Sequence, residues 1–208
     1  MKKFLDYSKV KYLLPIIIII LSFYRSPYIF LNGRFVSEEG NQYFVYVWEN
    51  GFWKSLLYLQ TEAGYFNFIA NLLVSLSSLM QIEFSPMVTV YGSLVFILLP
   101  SYLILFRNSL LFDTDSKKII GSFLLFITTP FVPEIWVNSI NAQVYLCINS
   151  MIILFMININ NFQKKINHII IFISAFSGVY TCCLLPLFAI NYYLKKNFYN
   201  LLNFLILI

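Results

Sequence analysis

The sequence predicts an all-α, polytopic membrane protein of about five to seven transmembrane helices, with short interfacial helices on the outer face. Three observations carry that prediction. Of the 208 residues 60% are hydrophobic and 11% charged, against about 45–50% and about 25% in an ordinary soluble domain. Apolar runs close to the roughly 20 residues needed to cross a bilayer recur along the chain. Basic residues cluster between those runs. Aromatics at 19% exclude a disordered chain, and Cys147, Cys182 and Cys183 sit in apolar runs as packing residues rather than as a disulfide framework. A net charge of +5 with mean hydropathy +0.76 fits lysines that anchor cytoplasmic loops, and nucleic acid is set aside as a partner.

Residues 12–24 hold Leu13, Leu14 and an isoleucine run at 16–20, preceded by Lys2, Lys3, Lys9 and Lys11. Arg25, Ser26, Pro27 and Tyr28 follow in place of a small-residue cleavage site, so the run reads as an uncleaved span with a cytoplasmic N-terminus. Further runs cover 64–80, 87–106, 119–133, 144–159 and 168–194, and another begins at Leu201. If each crossed once, Arg107, Lys117, Lys118, Lys164 and Lys165 would face outward, against the positive-inside tendency. One run therefore does not cross. The candidate is 64–80, where Asn67, Asn71, Ser75 and Ser78 fall within about 80° on a helical wheel. Such a helix lies along the outer surface or packs re-entrantly; the alternative is an ordinary span whose Asn and Ser pair with neighbours. With 64–80 non-crossing, most basic residues, including Arg107, Lys117, Lys118, Lys164, Lys165, Lys195 and Lys196, lie inside. Glu38, Glu39, Glu49, Glu62, Glu83 and Glu134 then lie outside. Keeping Lys195 and Lys196 inside requires 168–194 to form a hairpin that turns near Gly178.

Two outer segments hold the concentrated polarity. In the first, 25–86, Asn32-Gly33 marks a turn, and Ser37 reads as a helix cap ahead of Glu38 and Glu39. A short aromatic helix over 42–48 ends at Asn50-Gly51, and Phe52, Trp53, Leu56, Leu57 and Leu59 follow with Lys54 among them. That aromatic density marks a membrane–water interface. The second segment, 130–143, brings Pro133, Glu134, Trp136, Asn138, Asn141 and Gln143 between two spans. Polar side chains near membrane depth are costly unless paired or lining a cavity, so this cluster and Glu38-Glu39 read as walls of a wet pocket. The plainer alternative is that Glu38-Glu39 only starts a helix.

Arg25-Ser-Pro, Asn32-Gly-Arg-Phe-Val-Ser-Glu-Glu-Gly40, Gly64-Tyr-Phe-Asn67 and Trp136-Val-Asn-Ser-Ile-Asn-Ala-Gln143, set among these spans, resemble the N-terminal half of GT-C membrane glycosyltransferases. The resemblance covers roughly residues 11–160 and is one of architecture; many such enzymes carry Asp where this chain has Glu-Glu. It implies transfer of a sugar from a polyprenyl-phosphate carrier to a glycan or lipid acceptor on the outer face, with inversion at the anomeric carbon. Glu38 or Glu39 would deprotonate the acceptor hydroxyl or help hold a divalent metal ion. Glu134, Asn138 and Asn141 would belong to the second wall, and Arg34 or Lys54 would meet the carrier's phosphates; basic side chains at an interface also snorkel to lipid headgroups. The implied setting is a bacterial inner (plasma) membrane.

Other chemistry finds little support in the residues. His168, the single histidine, stands beside Lys164 and Lys165, so no His-based metal site or Ser-His-Asp arrangement is available outside. No Gly-rich phosphate loop is present. Asp113 and Asp115 read as a solvated turn beside Lys117 and Lys118. The run from Leu201 reaches only Ile208, so the sequence predicts a single transmembrane domain, 1–208, that is the N-terminal part of a longer protein and inactive alone. A transporter or flippase component is the competing expectation, favoured by the break between Gly178 and Pro186. A polysaccharide polymerase or ligase shares the outer-loop logic.

Overall fold

A computed structural model describes residues 7–62, 64–128 and 137–208. The described residues are mostly helical, in line with the all-α expectation. Helix α1, Tyr7–Arg25, and the short α2, Pro27–Asn32, come first. A π-helical segment, Glu39–Phe44, runs into α3, Val45–Asn50, and α4, Phe52–Ser55, follows. Two-residue strands β1, Leu59–Gln60, and β2, Tyr65–Phe66, pair antiparallel. The longer helices are α5, Phe68–Ser77, α6, Ser85–Phe106, α7, Asp115–Thr128, α8, Ala142–Leu154, and α9, Asn161–Ala175. A 3₁₀ turn, Tyr180–Leu184, leads into α10, Leu185–Lys195, and α11, Phe198–Leu207, ends the chain. Among the described residues α6 is the helix both long and apolar enough to cross a membrane.

Contacts fix the directions of the helices. The Tyr7 hydroxyl donates to Leu105 O (2.7 Å) and Tyr12 packs on Phe106, so α1 runs antiparallel to α6. Arg25 Nη1 donates to Phe126 O at 3.1 Å, so α1 and α7 finish together. Helices α6 and α8 also finish together, because Leu110 N donates to Phe155 O and Ile157 N to Asn108 O. Helix α9 returns along α8: Asn167 meets Met156, and Ser150 Oγ donates to Ser174 Oγ at 3.0 Å. The turn after α9 sits where the sequence predicts it, with Gly178 at φ +92°. One end of the bundle therefore carries Lys9, Lys11, Arg107, Lys117, Lys118, Lys164 and Lys195, and the other carries the 33–66 segment, Val137 and Gly178.

The amide and hydroxyl stripe of 64–80 faces protein. Asn67, Asn71 and Ser75 are buried, and Asn71 Nδ2 donates to Leu56 O and Tyr58 O, so α5 holds the short α3–α4 region down. At ten residues, α5 is about 15 Å long, half the thickness of a bilayer's hydrocarbon core. Ser85 Oγ donates to Ser77 O, and Leu73 lies against Gly92 where a Cβ would not fit. Ile69 and Leu73 share a cluster with Phe96, so α5 begins beside the middle of α6 and climbs back to its start. At the basic end Leu103, Ile104, Ile153, Ile171, Phe188 and Leu207 join α6, α8, α9, α10 and α11 in one core. Between helices sit buried small polar residues, Ser22, Ser93, Ser101, Ser122, Ser150 and Ser174, while Ile16, Ile20, Leu124, Ile169, Phe172 and Ile190 point outward.

Ser37 does not cap a helix. Its φ of +52° turns the chain sharply, and the residue at the cap position, Glu38, makes no side-chain capping bond. The wide π turn that follows, a feature frequent at functional sites, turns Glu39 inward while Glu38 stays half-buried.

Candidate functional site

Glu39 is fully buried at the junction of the two polar segments. Its Oε2 accepts from Val36 N at 3.1 Å, and its Oε1 accepts from both Ser139 N and Ser139 Oγ at 2.5 Å. One carboxyl group thus fastens together backbone segments 100 residues apart. Burial pushes the Glu39 carboxyl above its usual range, against the opposing pull of the Ser139 and Val36 donors.

Two further segments close on this junction. Asn67 caps α5 through Ala70 N and donates from Nδ2 to Ile140 O at 3.0 Å. Phe68 N donates to Phe176 O, Gly178 N donates to Phe66 O, and Ile69 N donates to Ser177 Oγ, so the α9–α10 turn is stitched to the end of β2. Asn138 Oδ1 accepts from Asn141 N at 3.0 Å, setting the turn that opens α8. Between the four segments lies a pocket of about 340 Å³, bordered by Ser37, Glu38, Tyr65, Asn138, Asn141 and Gln143 and closed by Val179 and Tyr180. Its volume suits a small-molecule site.

Glu38 has no hydrogen bond or ion pair among the described residues, so its carboxylate is available to a ligand. Burial raises the Tyr65 hydroxyl above its ordinary range, and the charge of Glu38 raises it further. Burial raises Tyr43 as well, with Tyr65 and Glu38 adding to the effect. Of the two, Tyr65 borders the pocket and, protonated near neutrality, presents its phenol beside that carboxylate. A carboxylate surrounded by neutral phenol and amide groups suits a polyhydroxylated ligand, with Glu38 positioned to take a proton from a hydroxyl.

Glu38, Asn138 and Asn141 are brought together in this pocket, and Glu39 lies behind it. Arg34 and Lys54 are exposed and do not border it. Glu134, Pro133 and Trp136 lie outside the described residues. Among the described residues no three His, Cys, Asp or Glu gather into a metal-holding group. Among the described residues Glu38 is the one carboxylate bordering the pocket.

Comparison with protein-family models, with curated proteins and with solved structures finds no match for this chain. Tyr65, Ser139 and Tyr180 reach the site through pairing with distant segments, which no spacing within their own segments marks. Tyr65 and Ser139 do lie in the Gly64-to-Asn67 and Trp136-to-Gln143 stretches, which were the available clue.

Gly178 is the tightest point of the pocket wall. A Cβ there would run into Gln143 Oε1, and φ of +92° strains any other residue. Gly178→Ala is expected to cost at least about 2 kcal/mol, from strain plus overpacking, and to push Gln143 into the pocket. Thermal unfolding of the variant in detergent checks the loss of stability.

Proposed function

We propose that the chain is a multi-pass membrane protein of GT-C-like architecture, with its N-terminus cytoplasmic and the Glu38 pocket on the outer face of a bacterial inner membrane. The pocket transfers a sugar from a polyprenyl-phosphate donor to a hydroxyl of a glycan or lipid acceptor. The observation that carries the reading is the meeting of both polar segments at one pocket that holds an unpaired carboxylate. The membrane setting is supported by the outward isoleucines and phenylalanines, the small polar residues between helices, and the collection of basic residues at the end opposite the pocket.

Glu38 takes the proton of the acceptor hydroxyl as its oxygen attacks the anomeric carbon from the face opposite the phosphate. The bond from that carbon to the phosphate oxygen breaks with its electron pair, releasing polyprenyl phosphate and an inverted glycoside. Tyr65 and the amides of Asn138, Asn141 and Gln143 hold sugar hydroxyls.

The test compares membrane vesicles from cells carrying the native protein with vesicles carrying Glu38→Gln, each given radiolabelled polyprenyl-phosphate sugar. Transfer is lost in the variant while donor binding persists. Equal transfer in both would remove the carboxylate from the chemistry. It would favour the transport reading, for which the non-helical backbone at 176–179, between α9 and α10 and against the pocket, is the supporting observation.

A further inference from the structure

At the end of the bundle opposite the Glu38 pocket, Lys164 in the first turn of α9 and Lys195 at the end of α10 border a second cavity of about 280 Å³, together with Asn158, Asn197, Tyr199 and Asn200. Lys165 and Lys196 adjoin them in sequence, and over residues 135–208 the chain contains no aspartate or glutamate. Neither Lys164 nor Lys195 has an ion-pair partner among the described residues. The carboxylate of Asp113, in the loop before α7, is taken by Lys117 at 2.7 Å.

The neutral groups present donors too. The Asn197 side-chain carbonyl caps α11 by accepting from Asn200 N at 2.9 Å, which leaves its NH₂ group for a ligand. Asn200 Oδ1 accepts from Asn191 Nδ2 at 3.4 Å. The Tyr199 oxygen accepts from Asn167 Nδ2 at 2.9 Å, leaving its O–H to donate. Two lysines, an amide and a phenol thus border one cavity, with the acceptor oxygens of Asn197 and Tyr199 already engaged. That composition suits a compact oxyanion with several acceptor oxygens.

We infer that this cavity binds the phosphate of an anionic ligand, either a phospholipid headgroup or a soluble phosphate. The site is independent of the chemistry at Glu38. A headgroup would add a link between the start of α9, the end of α10 and the start of α11 to the core that already joins these helices.

The full chain in neutral detergent is titrated at matched ionic strength with inorganic phosphate, with phosphatidylglycerol in the micelles, or with phosphatidylcholine, and its thermal midpoint is followed. A saturable rise is expected with phosphatidylglycerol or phosphate and not with phosphatidylcholine. A rise with phosphatidylglycerol alone identifies a headgroup site; a rise with inorganic phosphate as well identifies a soluble phosphate. Lys164→Gln/Lys195→Gln weakens half-saturation roughly tenfold or more, Lys164→Arg/Lys195→Arg retains it, and Lys117→Gln leaves it unchanged. Asn197→Asp, which keeps the α11 cap but adds a negative charge, weakens it equally and reports the site even if the double glutamine variant does not fold. No saturable rise with either anion, or an undiminished rise in both Lys164→Gln/Lys195→Gln and Asn197→Asp, overturns the inference.

Discussion

Glu38→Gln is expected to lower sugar transfer by about 10²- to 10⁴-fold, the range that a positioned general base contributes, with little change in the thermal midpoint. Glutamine keeps the shape and the hydrogen-bonding reach of the side chain but cannot take a proton. Glu38 has no hydrogen-bond or ion-pair partner among the described residues to lose, so stability and chemistry separate at this position. Donor KM is expected to stay within a few-fold while kcat falls, because Tyr65, Asn138, Asn141 and Gln143 are untouched. A parallel fall in kcat and midpoint would instead make Glu38 a structural residue like its neighbour.

Glu39→Ala is expected to do the reverse, destabilising the chain by on the order of 3–5 kcal/mol. Removing the carboxyl strands the Ser139 N–H, the Ser139 hydroxyl and the Val36 N–H in a buried site, and frees the second polar segment from the first. Transfer is then lost because the pocket opens, and the loss tracks unfolding in a denaturant series. The pH dependence has a defined sign. Burial holds the folded carboxyl above its usual value of 4.5, so the native state binds this proton more tightly than the unfolded chain. Stability is therefore greatest at low pH and is lost as pH rises from about 4.5 through the folded value. Glu39→Gln removes that slope. It remains less stable than the native chain, since its amide nitrogen must face either the Ser139 or the Val36 N–H donor. Thermal midpoints between pH 4 and 8 in the two proteins check the slope and its disappearance.

How much of this was legible in the sequence depends on the distance over which each residue acts. Apolar runs and basic residues are local signals, and they gave the helices, the turn at Gly178 and the end of the bundle at which Lys164 and Lys195 meet. The polar stripe of Asn67, Asn71 and Ser75 was also local, and it marked a helix that faces protein. Asn138 and Asn141 were readable as a polar turn between spans. The division of labour between Glu38 and Glu39 was not, because it rests on Ser139, 100 residues away, and on a π turn that rotates one carboxylate inward. Ser37 looked like a cap because caps are recognised by residue type, yet its backbone is left-handed and the helix after it starts with a wide turn. The contributions of Tyr65 and Tyr180 follow from the pairing of 66–69 with 176–178, which no spacing within either segment announces.

The central claim is that Glu38 and Asn138 share one pocket on the outer face while Lys164 and the loop before α7 lie inside. Single reporters at Glu38→Cys, Asn141→Cys, Ser116→Cys and Asn158→Cys, in a background with Cys147, Cys182 and Cys183 replaced by serine, test it in intact cells with a membrane-impermeant thiol reagent. Asn141 borders the same pocket wall as Asn138 and is less buried. The expected result is labelling at positions 38 and 141, protection at 116 and 158, and loss of that protection once the membrane is permeabilised. Labelling at 116 together with protection at 141 would place the two walls of the pocket on opposite faces and contradict it.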